Sequence, residues 1–177
     1  MRSAGVRLFR VDDTPASGGM TGLGPTEEPT LDPRTVYGLP GGATGTEAAM
    51  RLTGTVLSTK RLLTGEGVSY GYTYRAPADT HVALVSGGYA QGIVRALGGR
   101  ISLGFQDLRF PVVGRVAMDV CVVEIADAAV QRGDEVVFFG DTSHAEPGIS
   151  EWVTATGMSA AEIVTAVGLR AQREQVA

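Results

Sequence analysis

From Ala48 onward the chain breaks into short apolar runs rich in Val, Leu, Ile and Thr, each closed by glycine or a turn. MRLTGTVLSTKRLL and THVALVSGGYA have the β-branched content and closing glycines of strands, not the 3.6-residue period of an amphipathic helix. RFPVVGRVAMDVCVVEI is a longer run of the same kind. In it Pro111 is expected at a strand start, since it lacks the N–H that a central ladder position uses, and Gly114 at a bulge or bend. GDEVVFFGD predicts a further strand, entered through an Arg132-Gly133-Asp134 turn. Only the C-terminal segment changes period. Ser150 is expected to cap a short helix that stops at Gly157, and Ser159 with Glu162 makes a capping box ahead of IVTAV, which stops at Gly168. The pattern therefore predicts a mainly β fold, a barrel or sandwich of short strands, with short C-terminal helices.

The N-terminal part reads differently. Residues from Asp12 to Pro33 are rich in Gly, Pro, Thr and acidic side chains without apolar periodicity, as in an arm or linker. VRLFRV, before it, reads as a lone strand or as the trimmed end of something larger. The expected division is an arm over 1–33 and one β-domain over 34–177, which suits 177 residues at 44% hydrophobic.

Charge and composition narrow the function classes. The net charge is −4 and the 14 arginines are scattered, so no basic stripe forms that would bind nucleic acid or an anionic membrane. Arginine outnumbers lysine 14 to 1, and Lys60 is the one lysine; any lysine chemistry must use it or borrow one. Cys121, the single cysteine, lies in the apolar VCVVEI, where a buried inert thiol is expected, with no disulfide framework. No apolar run has the length of a membrane span and the N-terminus has no signal core, so the expected location is the cytoplasm. No GxGxxG, phosphate loop or paired Cys/His spacing is present, and His81 and His144 do not suggest a metal site.

GVSYGYTYRAP holds three of the five tyrosines, Tyr70, Tyr72 and Tyr74. Taken alone, a tyrosine in a strand-rich segment is packing. Several segments in order change that weighting: RTVYGLP (34–40), MRLTGTVLSTKRL, VSYGYTY, GGYAQGIVR (87–95), VGRVAMD (113–119), RGDEVVFFG and AAEIVTAVGLR. Together, and above all through VSYG, GYA-x-G and GR-x-x-MD, they resemble the C-terminal β-domain of alanine racemase, over Arg34 to Arg170.

That resemblance implies one catalytic base, Tyr70, and leaves Tyr72 and Tyr74 as packing or rim contacts. Racemisation removes a proton from one face of an α-carbon and returns one on the other, so two groups must flank the substrate. The family's second base is a lysine that carries pyridoxal phosphate as a Schiff base on a separate N-terminal barrel, for which this chain has no room. Lys60 matches a surface position of a family strand instead. The resemblance further implies substrate contacts from Tyr89, Met118 and Asp119 and an entryway lined by Arg95 and Arg115. Their bland alternatives are a turn-packing aromatic, a strand-end cap and surface ion pairs. It implies no cofactor held by this chain alone, pyridoxal phosphate reached only through a partner barrel, and D-alanine formation for the cell wall as the purpose. Partners expected are such a barrel domain or a second copy of the chain. Gln91 replaces the aspartate common in GYADG and removes a charge from the entryway; Leu169 replaces a phosphate-binding tyrosine of some members; RAQREQVA lacks the family's proline and aromatic ending. Two other readings stand beside this one. The first is a non-catalytic dimerisation or protein-interaction module derived from the same domain; the second, ranked last, is the β-domain of a pyridoxal-dependent decarboxylase.

Overall fold

The structure is a computed structural model that describes residues 32–43, 45, 48–144 and 146–172. VRLFRV and nearly all of the expected arm lie outside the described residues, so the 1–33 division is not visible. In chain order the described elements are α1 (Pro33–Val36), β1 (Leu52–Leu62), β2 (Gly67–Val68), β3 (Tyr74–Arg75), β4 (Thr80–Ser86), β5 (Ser102–Phe105), β6 (Leu108–Val113), β7 (Val120–Glu124), β8 (Glu135–Phe139), α2 (Ile149–Thr156) and α3 (Ala160–Gly168). Short 3₁₀ turns occupy Tyr89–Gln91, Arg95–Leu97 and Thr142–His144.

Six strands close into a barrel in the order β1-β4-β7-β6-β5-β8, and β2 pairs with β3 in a separate hairpin. The mainly β expectation holds, and the choice between barrel and sandwich falls to the barrel. Closure depends on β1. Its first half, Leu52 to Thr55, pairs with β8, its second half pairs with β4, and the β4 register slips between Val56 and Ser58. A bulge bends a strand locally, so one long strand serves both flanks and leaves neither exposed as an unpaired edge.

The core follows the two periodicities. Val56, Val85, Leu103, Val112, Val123 and Phe138 from the strands share one buried cluster with Trp152, Ile163 and Val167 from α2 and α3. The helices thus seal the barrel rather than decorate it. Trp152 is fully buried, with Phe139 edge-on at 5.1 Å and Phe138 at 6.3 Å between ring centroids. Among the described residues its indole N–H has no hydrogen-bond partner. An unpaired buried donor costs about 1–3 kcal/mol, whereas removing an aromatic of this size from water contributes roughly 4–6 kcal/mol at ~25 cal/mol per Å²; burial wins. A second, smaller cluster of Leu62, Ala76, Val82 and Val113 lies under the hairpin, with Val68 and Tyr74 packed against it.

Two local expectations are corrected. Pro111 lies inside β6, not at its start. Val112 donates its N–H to Ile101 beside β5, so the Pro111 nitrogen faces the other side, where pairing with β7 begins only at Val112; no ladder bond is lost. The N-cap of α2 is Gly148, whose N–H is accepted by Glu151 at 3.2 Å, and Ser150 stands within the first turn. The remaining caps fall as expected, with Gly157 left-handed after α2 and the Ser159–Glu162 box opening α3. β5, which carries SLGF, did not stand out by pattern.

Candidate functional site

All six candidate residues fall on loops at one end of the barrel. β4 ends at Ser86 and β7 begins opposite it at Val120, so GGYAQG and GRVAMD leave the same rim side by side. Backbone bonds join them: Gly87 N–H to Asp119 O at 2.8 Å, Tyr89 N–H to Ala117 O at 3.0 Å and Ala90 N–H to Met118 O at 2.9 Å. Gly88 is needed there because a Cβ would overlap the Ala117 and Met118 carbonyls. Arg95 places its guanidinium 5.7 Å from the centroid of the Tyr89 ring, a cation–π arrangement.

The hairpin brings the third loop. Tyr70 stands in the turn between β2 and β3, not in a strand, and is flanked by left-handed residues: Ser69 at φ 63°, Gly71 at 82° and Tyr72 at 47°. Non-glycine residues in that region persist where the surroundings over-determine them. Here the pairing of Val68 with Tyr74, the bond from Tyr72 N–H to Ser69 O, and Gly114 packed against Ser69 do so. Gly114 bends at φ 70° just past β6, where the sequence placed a bulge or bend, and a Cβ on it would crowd Ser69. A Cβ on Gly71 would lie 3.8 Å from the Arg115 guanidinium carbon, so positive charge sits beside the Tyr70 turn. The result is an aromatic side chain 81% exposed on an over-determined backbone.

The three clustered tyrosines separate cleanly. Tyr74 packs on the smaller core cluster and donates its hydroxyl to Glu124 at 2.9 Å; burial, with that bond and the Glu124 charge, pushes its phenol up to about 12. Tyr72 lies over Gly67, with Arg75 5.7 Å from its ring centroid, as a rim contact. Tyr70, Tyr89 and Met118 are the exposed apolar surface of the rim, and Asp119 beside them is exposed as well.

Other candidates resolve to structure. Cys121 is buried and burial alone pushes its thiol up to about 12, which leaves it without a thiolate at neutral pH. Lys60 is exposed on β1, as the sequence suggested. Two open recesses, of ≈ 370 and ≈ 220 Å³, both surround His81 where β4 begins and β7 ends, away from the rim that carries Tyr89. Neither is lined by Lys60. Among the described residues, no group of three or more His, Cys, Asp or Glu could hold a metal, and no helix is long and apolar enough to cross a membrane.

One rim contact was not visible in the sequence. Gln91 does more than remove a charge: it accepts from Gly88 N–H at 2.9 Å and donates to Asp119 at 3.0 Å. The spacing of Gln91 three residues after Gly88, at the opening of a turn, is the capping pattern that could have signalled it. Leu169 is 75% exposed at the end of α3, and the next residue, Arg170, reaches the Ala90 carbonyl at 3.4 Å, so the helix end props the same loop.

Residues 49–175 match the family described as "Alanine racemase, C-terminal domain". The chain is 41% identical over 136 residues to the alanine racemase of Mycobacterium avium and 40% identical over 129 residues to that of Thermobifida fusca, matching 73% of this chain in both cases and 35% and 34% of those proteins. Among solved structures it resembles alanine racemase from Streptomyces coelicolor (TM-score 0.70, 36% identity, 73% of this chain and 34% of that one). It also resembles that of Bartonella henselae with covalently bound pyridoxal phosphate (TM-score 0.72, 28% identity, 80% and 40%). The chain spans about a third of the length of the curated relatives it matches.

Proposed function

This chain belongs to the alanine racemase C-terminal domain family, and from that premise we propose that it supplies the catalytic tyrosine, Tyr70, in trans to a separate barrel for interconversion of L- and D-alanine. The observation that carries the reading is the Tyr70 phenol itself, 81% exposed on a left-handed turn with Arg115 beside it. Tyr74, by contrast, packs on the smaller core cluster and donates its hydroxyl to Glu124, and Tyr72 lies over Gly67. Tyr70 gives a proton to, or takes one from, one face of the substrate α-carbon. Arg115 supplies positive charge beside the turn while negative charge develops on the phenol oxygen. Met118, Asp119 and Tyr89 bound the substrate side, and Arg95, stacked on Tyr89, lines the approach with Arg115.

The group that acts on the opposite face belongs to the partner, as does pyridoxal phosphate, which withdraws electrons from the α-carbon when bound. The Bartonella henselae relative carries that cofactor covalently; in this chain the one lysine, Lys60, is exposed on β1 and has no such role. The domain by itself is inactive. The domain reading of 34–177 as one unit, the cytoplasmic location and the absence of nucleic-acid partners belong to the same proposal.

The test is D-alanine formation from L-alanine with pyridoxal phosphate, with this chain alone and then mixed with an isolated alanine-racemase barrel domain. Activity is expected only in the mixture and is lost with Tyr70→Phe. Turnover by the chain alone, abolished by Tyr70→Phe, would refute the division of labour. A second reading, an interaction module derived from this domain, is favoured by the Gln91 bond that occupies an Asp119 oxygen and by exposed Leu169. Silence of the mixture, with a barrel shown to bind the cofactor, selects it.

A further inference from the structure

Gln91 ties together two loops through one side chain. Its Oε1 accepts from the Gly88 backbone N–H and its Nε2 donates to Asp119 Oδ1. An amide presents an acceptor and a donor on one planar group, which a carboxylate or an ammonium cannot do. The charged groups around the pair are Arg95 over the Tyr89 ring, Arg170 reaching Ala90 from α3, and Arg115 on the loop that carries Asp119. Among the described residues none of them forms an ion pair with Asp119. The side-chain partner that orients this carboxylate is therefore neutral. From the other side, Gly92 is packed so closely on Ala166 and Val167 of α3 that a Cβ would overlap the Ala166 backbone. The segment from Gly88 to Gly92 is thus clamped between a helix and the Asp119 loop.

We propose that Gln91 is a positioning residue that locks the Tyr89 turn and the Asp119 carboxylate into one unit, so that both meet a substrate in a fixed relation. The importance of Tyr89 and Asp119 for catalysis rests on the function proposed above; the lock does not.

The experiment reads amide exchange at Gly88 by NMR and thermal unfolding against pH in the full 177-residue chain. In Gln91→Ala the Gly88 amide is expected to exchange about tenfold faster, the loss of one hydrogen bond, with β4 amides unchanged. Gln91→Glu sets two carboxylates together, and such a pair holds a shared proton more tightly folded than unfolded. Its melting temperature should match wild type near about pH 4 and fall behind as the pH rises through the raised folded value. Adding Asp119→Asn to Gln91→Glu reverses the polarity of the bond: the new carboxylate accepts from both Gly88 and the new amide. The double variant should regain slow Gly88 exchange and lose the extra pH dependence, a coupling that a merely structural role does not produce. Unchanged Gly88 exchange in Gln91→Ala overturns the proposal. So does a Gln91→Glu deficit that stays constant with pH, or a double variant that behaves as the sum of its parts, and these hold even if Gln91→Ala fails to fold. In the complemented racemase assay Gln91→Ala should lower kcat about tenfold more than it changes KM. Absence of any activity there counts against the racemase reading, while the exchange and melting data still decide the lock.

Discussion

The helix-sealed side of the barrel and the rim of loops at one end treat aromatic residues in opposite ways. Trp152, Phe138 and Phe139 are buried edge-to-face, and the indole N–H finds no partner among the described residues. Tyr70, Tyr72 and Tyr89 stay 81%, 62% and 42% exposed, and the first two stand on a turn with left-handed backbone. The core tolerates a small polar penalty to bury apolar surface. The rim leaves aromatic surface exposed on a turn whose non-glycine residues take left-handed backbone.

Changes that confuse the two regions should have separable effects. The largest is Tyr70→Phe: with a barrel partner, turnover should fall by roughly 10²–10⁴, the usual worth of a general acid–base group, while unfolding stays within about 0.5 kcal/mol of wild type because the hydroxyl touches water. Trp152→Ala should do the reverse in the domain alone, losing about 3–5 kcal/mol of stability by denaturant titration. Trp152→Phe, which also removes the unpaired donor, should lose only about 2 kcal/mol, and an equal loss in both variants would mean that shape outweighs the polar penalty.

Smaller effects probe the border between the regions. Tyr74→Phe should cost about 1 kcal/mol at neutral pH through its lost bond to Glu124. Its phenol is raised from 10.0 to about 12 on folding. That contribution is therefore complete below pH 10 and disappears as the pH rises through about 12. Cys121, raised from 9.0 to about 12, adds a loss of the same sign, so Tyr74→Phe should soften the alkaline fall seen by circular dichroism without abolishing it. The smallest effect is expected for Arg109→Ala. Its guanidinium holds both Glu151 oxygens at 2.6 Å and ties β6 to α2, but the pair is solvent-exposed and should contribute no more than about 1 kcal/mol, less in high salt.

Much of this was legible along the chain. Strands β1, β4, β6, β7 and β8 announce themselves by β-branched runs closed with glycine, and α3 by Ser159 and Glu162, because each signal acts within a few residues. β5 did not, since Leu103 and Phe105 around Gly104 are too short a run to weigh alone. Pro111 was misplaced because its tolerance depends on which neighbour its nitrogen faces, a property of the sheet. The candidate residues could be named through resemblance, but Gln91 was read only as a missing charge. Its partner Asp119 is 28 residues away, and nothing local reveals that the two loops adjoin.

Residue type and short-range pattern carry the mainly β class of the fold, and composition limits lysine to Lys60; Tyr70 was singled out from its two neighbours through family resemblance, not through pattern. The folded chain alone shows that the sheet closes as a barrel, that the helices complete its core, and that the Tyr70, Tyr89, Arg115 and Asp119 loops adjoin. Closure and convergence arise from pairings between strands far apart in the chain, such as β1 with β8. The free energy of those contacts depends on which surfaces meet, and no short stretch of sequence records that.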